Sequence, residues 1–149
     1  ASEARLVGLN LFSFSTVRAF IGTIAIFSTV IGDYAFASAG ITEEEAKKSN
    51  FDVITGVFEG IDKHPGTLPN TKKQIVKLIS TKDAEVIIGG EIIGGESIGE
   101  LINVIGIAIQ CRMTVTELYM AQIGTHPLLT SAPTNYPLIK AAEKILLKV

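Results

Sequence analysis

The chain of 149 residues has no tryptophan, one cysteine, two histidines and few charges, and each shortage closes off a class of function. Without tryptophan, and with three tyrosines and seven phenylalanines, it offers no aromatic platform on which bases could stack. A net charge of −2 and an isoelectric point of about 5.7 leave nothing basic enough to draw in a phosphate backbone, so no nucleic-acid partner is expected. The lone Cys111 excludes an internal disulfide, a CxxC redox pair and a cysteine-rich zinc site. It fits a reducing compartment, the cytoplasm. His64 and His126 stand apart from any acid cluster, so no metal site is expected. The longest apolar run, residues 19–32 (AFIGTIAIFSTVIG), has fourteen residues. A spanning helix needs roughly 20, so no membrane segment is expected. No basic leader with a cleavage site opens the chain, so no secretory signal is expected either.

What is abundant is apolar surface. The chain is 47% apolar and 19% charged, with a mean hydropathy of +0.40. A free-standing domain of this size rarely carries so much, and with a membrane set aside the excess points to burial against another chain or domain. The opening at Ala1 rather than Met points the same way, to a piece of a longer polypeptide.

Patterning along the chain predicts an α+β domain, an antiparallel sheet of about five strands with helices packed on it. Residues 2–11 read as a short helix and 13–16 as a polar break. Strands are expected at 22–31 and 34–39, reversing at Gly32-Asp33. Thr42 and Glu45 form a T-x-x-E capping box for a helix over 43–48, with acids at its start and lysines at its end. Further strands are expected at 51–61, 72–80 and 84–93, the first two separated by a proline-bearing loop over 62–71 and the last two reversing at Lys82-Asp83. Gly89-Gly90 inside the fifth strand signals a bulge or a close backbone approach. Ser97 with Glu100 and Thr114 with Glu117 give two more expected boxes, opening a long helix over 98–110 and a short one to Met120. A last helix over 136–148 starts with Pro137 in its first turn and buries a stripe of Leu138, Ala141, Ala142, Ile145 and Leu146.

Few residues here carry chemistry. Gly94-Gly95-Glu96-Ser97-Ile98-Gly99 joins a strand to a helix but lacks the G-x-G-x-x-G spacing of a dinucleotide loop, and Glu96 would repel a phosphate. His64 sits in a turn-rich loop and is expected to be solvated. Arg112 beside Cys111 could favour a thiolate, yet a lone cysteine is expected to pack as a small buried residue. His126, in Gly124-Thr125-His126-Pro127 between apolar flanks, is the one candidate for proton transfer, with a packed or interface histidine as the plainer expectation.

Three stretches, in register, resemble a known family. Residues 39–46 (AGITEEEA) are similar to its A-x-x-G-L-T-E-x-x-A signature. Residues 84–101 (AEVIIGGEIIGGESIGEL) resemble its I-L-G-A-x-I-V-G hairpin and E-x-I-N-x-x-A-x-A-I helix, continued through Asn103 and Ile109. Residues 113–118 (MTVTEL) are similar to M-T-V-x-D-L, followed by His126-Pro127. Together they resemble the dimerisation domain of the pyridine nucleotide–disulfide oxidoreductases, in the NADH oxidase-like branch, over about residues 20–148. On that resemblance residues 1–13 are the remnant of the last helix of a preceding FAD domain, and 20–149 are the interface domain. The resemblance implies a homodimer, with FAD and NAD(P)H bound by the amino-terminal domains of the same parent chain. The parent would be an FAD-dependent NAD(P)H oxidoreductase. This fragment would hold no cofactor, be inactive alone, supply the interface and line the partner's flavin site. The H-P-x-x-x-E pattern, whose histidine serves the partner's thiols, is matched at His126-Pro127, but Ser131 stands where the orienting Glu belongs. Pro127 and Tyr136 are then flavin-pocket residues beside His126. The competing expectation is a stand-alone protein–protein assembly module without redox activity.

Overall fold

The structure, a computed structural model, describes residues 1–12 and 19–149, so the expected polar break at 13–16 lies outside the described residues. In chain order the elements are α1 (Ser2–Leu11), β1 (Ile26–Ile31), β2 (Tyr34–Gly40), α2 (Glu43–Lys48), β3 (Val53–Ile61), β4 (Lys73–Thr81), β5 (Ile87–Gly94), α3 (Ile98–Gln110), α4 (Val115–Tyr119), a 3-10 turn (Pro133–Asn135) and α5 (Pro137–Leu146). The five strands form one antiparallel sheet in the order β1-β2-β5-β4-β3, which makes this the expected α+β domain. After β2 the chain crosses through α2 to the far edge, and the β3-β4-β5 meander returns to lie beside β2.

One face of the sheet is closed by α3 and α5 because alternate residues on it are apolar. Ala35, Ala37 and Ala39 of β2, Val76 and Leu78 of β4, and Ile92 of β5 meet Ile98, Leu101, Ile102 and Ile105 of α3 and Leu138, Ala141, Ala142 and Ile145 of α5. α5 lies so close on β3 that a side chain at Gly56 would bring its Cβ within 2.1 Å of the Ala141 carbonyl oxygen. The expected irregularity at Gly89 is present. Ile79 pairs with Gly89 and Ser80 with Ile87, so Ile88 is an extra, bulged residue. Its carbonyl accepts the Ile41 N–H at 3.1 Å, and a Cβ on Gly89 would lie 2.0 Å from the Ile41 oxygen.

Two capping boxes form as expected. Glu45 N–H donates to Thr42 Oγ1 at 3.2 Å while Thr42 N–H donates to Glu45 Oε2 at 3.1 Å. The Thr114–Glu117 box repeats this at 3.2 and 2.7 Å. The third expected box does not form. Ser97 has helical angles (φ −60, ψ −19) and its side chain caps nothing. A capping side chain must start from extended backbone to reach over the first turn. Here Gly95 and Glu96 already begin that turn, their carbonyls accepting the N–H groups of Ile98 and Gly99 at 3.3 and 3.2 Å. Glu100 instead accepts from Asn103 Nδ2 at 3.3 Å.

Two strands start three or more residues later than the pattern suggests. β1 begins at Ile26, because its partner β2 ends at Gly40, where φ is +72, and residues 22–24 have no strand to pair with. β5 begins at Ile87, because the turn after β4 runs through Glu85, where φ is +53. Cys111 is exposed, contrary to expectation. It stands seven residues after Val104 and four after Ile107, on the outward row of α3 where both side chains are also exposed.

The other face of the sheet remains largely open and apolar, with Phe27, Phe36, Val57 and Ile93 exposed around a central ion cluster. There Lys77 Nζ lies 3.0 Å from Glu43 and 3.1 Å from Glu91, and Lys47 joins Glu43 at 2.5 Å. The bonds from Lys47 and then Lys77 hold the Glu43 carboxyl at about 2, against 4.5 for a free glutamate. A carboxyl lowered on folding stabilises the fold above its unfolded value, and that contribution fades as pH falls from about 4.5 towards 2. Thermal melts should therefore show Glu43→Gln below the parent by about 1–3 °C at pH 6, a small gap because partly exposed pairs are screened. The gap should close near pH 2. A gap unchanged across that range would show that the cluster is not formed. Among the described residues no helix is long and apolar enough to cross a membrane.

Candidate functional site

The segment between α4 and α5 holds His126, Pro127 and Tyr136, and it is shaped by short-range bonds. The His126 carbonyl accepts the N–H groups of Leu129 and Thr130, both at 2.9 Å, closing a tight turn over His126-Pro127-Leu128-Leu129. Thr130 Oγ1 accepts the His126 N–H at 3.0 Å. The imidazole is exposed, and its Nδ1 accepts the Leu128 N–H at 3.3 Å, which leaves Nε2 without a hydrogen bond among the described residues. The 62–72 loop is tied to this turn by His64, whose N–H donates to the Pro127 carbonyl at 3.3 Å. The His64 side chain is exposed, as expected of a loop residue.

Ser131, at the position of the orienting Glu, is 3% exposed, and its Oγ donates to the Asn135 carbonyl at 3.0 Å. It serves its own turn, and no carboxylate is paired with His126 among the described residues. Tyr136 precedes α5 and is half-buried against the core; burial pushes its phenol above the usual value. Its neighbour Pro137 opens α5, as its missing N–H allows.

Two cavities meet here. The larger, about 680 Å³, lies between the tip of the β1–β2 hairpin, the 62–72 loop and the start of α3, with Leu128 and Leu129 on its wall. The smaller, about 340 Å³, lies between the starts of α3 and α5 and is lined by Tyr136, Asp62, Gln74 and Leu129 among others. Tyr136 therefore faces a cavity, while His126 and Pro127 lie on the exposed turn beside them.

Sequence reasoning missed Asp62 and Gln74. Asp62 is only 7% exposed, and its Oδ1 accepts the Lys72 N–H at 2.8 Å, clamping the loop shut. Its position at the head of a turn-rich segment reads as solvent. Gln74, 4% exposed, shares a face of β4 with Val76 and Leu78. The period-2 pattern was the available signal, a polar residue on an otherwise buried row.

This geometry has close counterparts. Residues 26–136 match the family described as pyridine nucleotide-disulphide oxidoreductase, dimerisation domain. The chain is 30% identical to an NADH oxidase of Enterococcus faecalis over 134 residues, 90% of this chain and 29% of that protein. It is 33% identical to a dihydrolipoyl dehydrogenase of Geobacillus stearothermophilus over 106 residues, 71% of this chain and 22% of that protein. Among solved structures, an NAD-dependent persulfide reductase from A. fulgidus superposes with a TM-score of 0.84 at 27% identity, over 99% of this chain and 26% of that one. The chain thus spans less than a third of each of these proteins. Since the match runs from the first residue of β1 to the residue before α5, the chain belongs to the pyridine nucleotide-disulphide oxidoreductase dimerisation domain family.

Proposed function

We propose that this chain is the interface domain of a longer FAD-dependent NAD(P)H oxidoreductase of the NADH oxidase type, and that it joins two such subunits into a homodimer in the cytoplasm. In the parent, amino-terminal domains of the same chain bind FAD and NAD(P)H, and the fragment alone is inactive and holds neither. α1, which buries none of its residues, would be the end of the preceding FAD domain. His126, Pro127 and Tyr136 would line the partner's flavin site. Nε2 of His126 is free to face it, and the turned-away Ser131 favours a lining role over thiol acid/base work.

The observation that carries this reading is the outward row of α3. Val104 is 44% and Ile107 61% exposed on the longest helix of the domain, whose opposite row is sealed in the core. Exposed branched aliphatic residues one turn apart form a ridge that can pack against its own copy across a two-fold axis. Ile107→Glu should place a charge in that seam and raise the dimer dissociation constant by at least about 30-fold, read by sedimentation equilibrium. An unchanged constant would remove α3 from the interface.

A further inference from the structure

We draw no further inference here: the strongest candidate, the open apolar face of the sheet where Phe27, Phe36, Val57 and Ile93 lie exposed about the Lys77 ion cluster, carries nothing because nothing in the structure shows what covers it.

Discussion

Gly56→Ala is expected to lower the melting temperature by at least about 10 °C, from a loss of about 3–5 kcal/mol of stability. The new Cβ would sit 2.1 Å from the Ala141 carbonyl oxygen, 2.7 Å from Ile145 Cγ1 and 3.0 Å from the Ile145 nitrogen. Two of these atoms belong to backbone, so no side-chain rotation relieves the clash. Either β3 leaves β4 or α5 lifts from the sheet, and α5 carries Leu138, Ala141, Ala142 and Ile145 into the core. The loss is a large share of the roughly 5–15 kcal/mol that holds an ordinary domain together. A circular-dichroism melt decides it, and a shift under about 3 °C would mean that α5 is not seated on β3 as described.

Ile105→Ala should cost about 2–5 kcal/mol by leaving a cavity under the middle of the sheet. Ile105 is fully buried, and its Cδ1 and Cγ2 both lie 3.0 Å from where a Cβ on Gly90 would stand. The absent side chain on the strand and the large one on the helix thus fit each other, and neither neighbour can expand to fill the gap. Ile107→Ala is the internal control, since that side chain is 61% exposed on the same helix. It should change the stability of the monomer by less than about 0.5 kcal/mol. Chemical denaturation of both variants in dilute solution measures the contrast, and equal losses would contradict the assignment of inner and outer rows.

Much of this architecture was legible before the structure, because its elements obey simple periods. The strand at 34–39 alternates cleanly, and both T-x-x-E boxes with a genuine extended Thr formed. Ser97 shows the limit of such motifs. The letters S-x-x-E cannot report that Gly95 and Glu96 have already started the turn, and backbone angle rather than residue type decides a cap. Residues 22–24 look like strand but have no partner, since strand length is set by the neighbour as much as by the residues themselves. Cys111 was read by composition as buried, whereas its helical spacing from Val104 and Ile107 placed it outside. At the candidate site, His126 is singled out by its motif and Tyr136 by its proximity to that motif. Asp62 and Gln74 were not found, because the loop closure and sheet register that bring them beside Tyr136 join residues more than 60 positions apart.

The most direct test of the dimer is sedimentation equilibrium of this chain across a concentration series reaching about 0.5 mM. The account predicts a reversible approach to twice the 15.9 kDa of one chain, with no flavin absorbance in the sample. A species that stays at 15.9 kDa throughout would contradict it.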